Sequence, residues 1–195
     1  MTLSTQHVPL FPLNSVILPQ GRIPLQLFEP RYIDMLTRCL KEERGFVVVL
    51  LREGGEASLQ ASFYDIGTYV RIVDFRQLEN GLLGITVEGD RKVVVEHSWQ
   101  APDGLHLGNL TPLDDEPEVA VPDEFGELPL VLKALCRHPV VRELEMAVDY
   151  ADARMVGWRL TELLPIHKDE KQRLLELHDP VERLAQLAEL VDELD

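Results

Sequence analysis

Six histidines (7, 97, 106, 138, 167 and 178), two cysteines (Cys39 and Cys136) and five serines are among the side chains of this 195-residue chain that could ligate a metal or attack a carbonyl. The zinc patterns legible in a sequence are paired cysteines, or two histidines one helical turn apart as in H-E-x-x-H. Neither pattern occurs. His167 and His178 flank one predicted short helix without sharing a face. The cysteines lie far apart and read as two buried thiols in a reducing compartment. No G-x-S-x-G elbow sets up a nucleophilic serine. Gly84 to Gly89 has the G-x4-G frame of a phosphate loop, but Asp90-Arg91 follows where Lys and then Ser or Thr are needed. An acid there would repel phosphate, so the segment reads as a strand ending in a tight turn at Gly89-Asp90. One constellation remains. Phe28-Glu29-Pro30-Arg31-Tyr32 gathers an acid, a base and two aromatics where a strand passes into a helix. Phe28, Pro30, Arg31 and Tyr32 are the candidate contact residues of a recognition patch. The same residues also suit a helix start fixed by a local ion pair and by Tyr32 packing, with Pro30 in its first turn. No catalytic residue, metal ligand or cofactor site is predicted.

The elements that position this junction are mostly strands. Prolines 9, 12, 19 and 24 break the opening into short extended pieces, Val8–Leu13 and Ser15–Leu18. Gln20-Gly21 supplies the next turn. A helix runs from Pro30 to about Glu43, with Ile33, Leu36 and Leu40, joined by Met35 and Cys39, as its apolar face. Lys41 and Arg44 suit its end and Gly45 its stop. Phe46–Leu51 is a continuous apolar run that reads as a buried strand. Glu53-Gly54-Gly55-Glu56 is a turn, Ile66–Phe75 a strand, and Asn80-Gly81 a hairpin signal returning through Leu82–Glu88. Lys92–Trp99 and Leu105–Leu110 follow, joined by Asp103-Gly104. Strands at this spacing suggest a small barrel or a sandwich.

At Thr111 the character changes. Residues 111–127 hold seven acids, three prolines and no base, and read as a solvated linker. Helix patterns then dominate: one near Phe125–Cys136, a long one from about Val141 to Leu164, with Trp158 packed between helices, and a short one over Lys168–Leu177. Asp179-Pro180-Val181-Glu182 opens the last helix with an N-cap, a proline at N1 and an acid at N3.

Charge narrows the function classes. The chain carries −15 overall, −3 in residues 1–110 and −12 in residues 111–195. Such a field repels phosphate backbones and argues against nucleic acid. The longest apolar run, Phe46–Leu51, is far short of a membrane span, and the N-terminus has no basic flank before an apolar stretch. A cytoplasmic location, away from membranes, is expected.

At this point the residues match a family. Pro9-Leu-Phe-Pro-Leu13, Val16-Ile-Leu-Pro19 and Pro24-Leu-Gln-Leu-Phe-Glu-Pro-Arg-Tyr32 resemble the opening of the N-terminal domain of ATP-dependent Lon proteases. Ile66-Gly-Thr68, Gly81, Gly89-Asp-Arg91, Leu163-Leu-Pro165, Lys171-Gln-Arg-Leu-Leu175 and Glu182-Arg-Leu184 follow in the family's order. Lys92 stands where the family often has an aromatic. Leu18 stands where many members have one before the proline. The resemblance implies an α+β fold: a PUA-like pseudo-barrel β domain with one inserted helix over residues 1–117, followed by a C-terminal helical bundle over 118–195. It also implies a non-catalytic module that recognises protein substrates, with no nucleotide loop and no serine–lysine protease segment up to Asp195. The expected partners are unfolded or extended polypeptide segments, with a Lon-type protease as a second candidate. Two alternatives stay open: an RNA-binding PUA-like protein, and an enzyme acting on a small molecule in a pocket the sequence does not reveal.

Overall fold

The computed structural model describes residues 5–53, 61–78 and 82–194. It divides into two compact units, Met1–Asp114 and Asp115–Asp195. Among the described residues, the first holds seven strands and one helix: β1 (Val8–Leu13), β2 (Arg22–Leu27), α1 (Pro30–Lys41), β3 (Phe46–Glu53), β4 (Ser62–Phe63), β5 (Ile66–Gln77), β6 (Leu83–Gln100) and β7 (His106–Pro112). β1 runs parallel to β3, with Leu10 opposite Val47, and antiparallel to β7. β7 pairs with β6, β6 with β5 and β5 with β3, all antiparallel. The ladder therefore closes on itself. β2 lies outside this ring, paired along its whole length with the first part of β6. β4 pairs with β3.

The apolar run Phe46–Leu51 forms most of β3 and is buried throughout, because one of its faces packs with α1 and the other among the strands of the ladder. Phe46 and Val48 join a core with Phe11, Tyr32, Met35, Ile85 and Val87; Val47 and Val49 join a second cluster with Leu10, Tyr69 and Val93. Each such side chain contributes about 1.5–3 kcal/mol when removed from water.

Three expectations for this unit need correction. The strands read as Leu82–Glu88 and Lys92–Trp99 are one strand, β6, which runs through Gly89-Asp90 without a turn. Gly89 is needed for a close approach. The turn at Pro19-Gln20-Gly21 crosses it, Gln20 donates to the Gly89 carbonyl at 2.7 Å, and the Gly89 amide donates to Gly21 at 2.9 Å. A Cβ at Gly89 would sit 2.2 Å from the Leu18 carbonyl oxygen. The buried face of α1 is Tyr32, Met35, Leu36 and Cys39, while Ile33 and Leu40 are 37% and 41% exposed. Spacings of three and four from Tyr32 define that stripe, and Ile33 and Leu40 fall to its side. Gly45 does not make the left-handed stop of α1; Glu43 does, at φ 50°. The Asn80-Gly81 turn and Gly54 to Glu56 lie outside the described residues, although Gln77 opposite Leu83 shows that β5 and β6 form a hairpin.

The second unit is helical: a 3₁₀ turn at Asp123–Phe125, then α2 (Leu128–Leu135), α3 (Pro139–Glu143), α4 (Ala153–Leu163), α5 (Lys168–Glu176) and α6 (Pro180–Asp192). Leu132, Val156, Leu160, Leu174, Leu184 and Leu187 are its centre. Asp179 caps α6 by accepting from the Val181 amide at 2.8 Å. The long helix expected over Val141–Leu164 is broken in two. Glu145 adopts φ 48°, and Asp152 takes over as N-cap of α4 by accepting from the Arg154 amide at 2.9 Å. Between them, Val121 donates to Ala151 and Ala153 to Val119.

Nor is the acidic run after Thr111 simply a solvated linker. Thr111 and Pro112 end β7, and Val119 and Val121 pack on the helical core. Glu116, 5% exposed, is held by Arg183, which is fully buried. Both guanidinium Nη atoms reach its carboxylate at 2.7 Å. Among the described residues, no helix is long and apolar enough to cross a membrane.

Candidate functional site

The junction singled out in the sequence is built by β2, α1 and the turn before β7. Pro30 starts α1 at N1, and the Tyr32 and Ile33 amides donate to the Glu29 carbonyl. Arg31 turns inward. It donates from Nη1 to the Gly104 carbonyl at 2.7 Å, lies 2.9 Å from the Glu29 carboxylate and stacks 4.7 Å from the Tyr32 ring centre. Gly104 can present that carbonyl because it adopts φ 85°, a conformation glycine reaches at little cost. Tyr32 packs 4.3 Å from Phe11, centre to centre.

The four candidate contact residues therefore separate. Arg31 and Tyr32 are 6% and 4% exposed and fix the backbone. Pro30 is exposed at the helix start, and Phe28 is 64% exposed at the end of β2. An exposed aromatic on an anchored backbone loses little freedom when a partner covers it.

A second exposed aromatic escaped the sequence reading. Phe75, 60% exposed, lies in β5 beside a groove lined by Arg76, Gln77, Leu82 and Leu83. Its segment, Ile66–Phe75, read as an ordinary strand. Its exposure follows from the strand order, which the sequence does not show: among the described residues, β3 pairs only with Thr68–Val70 of the twelve-residue β5.

Of the two thiols expected to be buried, Cys39 is and Cys136 is only half-buried; His138, His167 and His178 are exposed. The Gly84–Gly89 frame is strand throughout. Burial pushes the Cys39 thiol up to about 11, which leaves it protonated and unreactive at neutral pH. Trp158 is buried in α4, and Trp99 is half-buried between His97 and His7.

His106, 7% exposed, is edge-on to Phe63, and its Nε2 has no hydrogen-bond partner among the described residues. Burial, helped by the Arg31 charge, lowers its pKa below the ordinary 6.5. The unfolded chain thus takes up this proton more readily than the folded one. The stability His106 contributes is complete above pH 6.5 and is lost as pH falls below it. Urea midpoints at pH 7.5 and 5.0 are expected to differ more for the wild type than for His106→Phe. Equal differences would show that His106 does not contribute.

The family profile described as the substrate-binding domain of ATP-dependent protease La (LON) matches residues 7–193. The chain is 25% identical to Lon protease 1 of Bdellovibrio bacteriovorus over 202 aligned positions, covering 100% of this chain and 25% of that protein. It is 25% identical to Lon protease of Haemophilus influenzae, covering 98% of this chain and 25% of that protein. The chain thus spans about a quarter of the length of these relatives. The crystal structure of a Lon N-terminal domain protein from Xanthomonas campestris superposes with a TM-score of 0.78 at 33% identity, covering 93% of this chain and 96% of that one. The N-terminal domain of a Mycobacterium avium complex Lon protease shares the fold, with a TM-score of 0.61 at 17% identity over 94% and 97% of the two chains.

Proposed function

We propose, from the premise that this chain belongs to the family of substrate-binding domains of ATP-dependent Lon proteases, that it is a non-catalytic module binding unfolded or extended polypeptide segments. The observation that carries the reading is Phe28: a large aromatic, mostly exposed, held by a junction anchored through buried Leu27, Arg31 and Tyr32. Phe28 with Pro30 is the contact surface. Arg31 and Tyr32 position it. We take the closed β unit as PUA-like and the helical unit as a bundle. A Lon-type protease is the second partner and the cytoplasm the place of action.

Burying an exposed phenylalanine at the centre of a contact is worth about 1.4 kcal/mol or more, roughly tenfold in affinity. Phe28→Asp is therefore expected to weaken binding to a labelled, permanently unfolded polypeptide by at least about tenfold. Its melting temperature should match the wild type, because the side chain is exposed in the folded protein. Unchanged affinity with an intact fold would remove Phe28 from the contact surface.

A further inference from the structure

The first half of β6 is flanked by β2 on one side and by the end of β5 on the other. Among the described residues, β2 pairs with β6 alone, and so does β5 from Arg71 to Gln77. This three-stranded section consequently has two open edges. They are not equivalent. β2 carries Pro24 at its middle, which has no N–H and blunts an edge against further pairing. β5 has no proline. A bulge between Ile72 and Asp74 ends its irregular part and leaves Asp74–Gln77 as a regular open edge.

The register shows what each face of that edge lacks. Leu25, Ile85 and Phe75 lie opposite one another across three strands. Leu25 and Ile85 are buried, at 8% and 2% exposed, whereas Phe75 closes the row at 60%. One more strand would cover it. The next row, Gln26, Gly84 and Arg76, faces the other way. The nearby arginines are already engaged: Arg22 and Arg71 with Glu88, and Arg71 and Arg91 with Asp90. Arg76 has no ion-pair partner among the described residues, although Asp74 shares its groove beside Pro24 and Gln26.

We infer that the Asp74–Gln77 edge of β5 takes an extended polypeptide as an added strand, with the pattern apolar–acidic–apolar. One apolar side chain covers Phe75, the acidic one faces Arg76, and the second apolar one covers the Leu83 groove. Main-chain hydrogen bonds supply the pairing, and the alternation supplies the selectivity. A single acid is required, because a second, two residues along, would face Asp74. This inference rests on the polypeptide-binding reading and adds a second contact surface to it, on the edge of the β2–β6–β5 section away from Phe28, with its mode and substrate class.

The test uses the full chain and labelled peptides in fluorescence anisotropy: a Thr-Val-Glu-Val-Thr core, a twin N-methylated at alternate amides, and a twin with Lys for Glu. The N-methylated twin is expected to bind about tenfold more weakly or worse, and the Lys twin about tenfold more weakly. Arg76→Glu, a change at an exposed position, should reverse the Glu-over-Lys preference. Equal binding of the N-methylated twin overturns strand addition. An unreversed preference overturns the role of Arg76. If an unfolded polypeptide binds and none of the peptides does, this inference fails while the general reading stands. If neither binds, both fail.

Discussion

Arg183→Met is expected to destabilise the helical unit by about 3–5 kcal/mol, the usual effect of removing one partner from a buried ion pair. The side chain satisfies three separate needs. Its two Nη atoms hold the Glu116 carboxylate, Nε donates to the Leu174 carbonyl at 2.8 Å, and Nη2 also reaches the Leu177 carbonyl. Those carbonyls lie at the end of α5, where no intrahelical amide is left to bond them. Methionine fills a similar volume and replaces none of these donors. Glu116 would then keep a charge at a site 5% exposed, with its bidentate partner gone. Gly157 fits the same account. A glycine inside a helix costs about 1 kcal/mol in propensity. Yet a Cβ there would lie 3.0 Å from Arg183 Cδ, so α4 gives up a side chain to let the arginine stem pass. With a urea slope of about 1–3 kcal/mol per M, the midpoint should fall by roughly 2 M. A loss under about 1 kcal/mol would mean that the pair contributes no more than a surface ion pair.

Gly45→Ala is the second large effect. Gly45 sits between α1 and β3, and a Cβ there would lie 1.8 Å from the Val70 carbonyl oxygen and 2.9 Å from its carbon. Both are backbone atoms of β5, fixed by pairing with β3 and β6, so neither can move aside as a flexible side chain would. The Gly45 amide also donates to the Tyr69 hydroxyl at 2.6 Å, and its carbonyl accepts from the Cys39 thiol. Displacing Gly45 disturbs those contacts as well. The expected loss is about 3 kcal/mol or more, at the upper end of single-residue effects. Thermal melting checks it. A melting temperature within a degree or two of the wild type would show that the β3–β5 approach can widen at little cost.

These two sites also mark what can and cannot be read from the residues. Local chemistry was legible. Prolines punctuate β1 and the start of α1, and Gly104 the turn before β7, because each acts through its own φ, whereas at Gln20-Gly21 the positive φ falls on Gln20. The Asp179-Pro180 cap of α6 was legible for the same reason. Long-range pairing was not. Glu116 is one of seven acids in a run of seventeen residues, and nothing in the run distinguishes the one that turns inward to meet Arg183. Gly89 announced a special backbone position, but whether it is a turn or a crossing depends on where Leu18–Gly21 lies in space. At the candidate site, the composition of the Phe28–Tyr32 junction was visible in advance. Its division into exposed Phe28 and Pro30 and buried Arg31 and Tyr32 was not, since it depends on Gly104 and Phe11 arriving from elsewhere in the chain. Phe75 was hidden for a related reason. Pattern reports that a residue is apolar, and only the strand order reports that its neighbour is missing.

Binding of extended polypeptide through apolar surface is the function proposed for this chain. The most direct test titrates the purified chain into a labelled, permanently unfolded polypeptide, with a labelled RNA beside it, at low and moderate salt. Apolar burial is little affected by moderate salt, whereas phosphate contacts weaken steeply. The account predicts saturable binding to the polypeptide alone, nearly unchanged between the two salt levels. Binding to the RNA that falls steeply with salt, with no binding to the polypeptide, would contradict it.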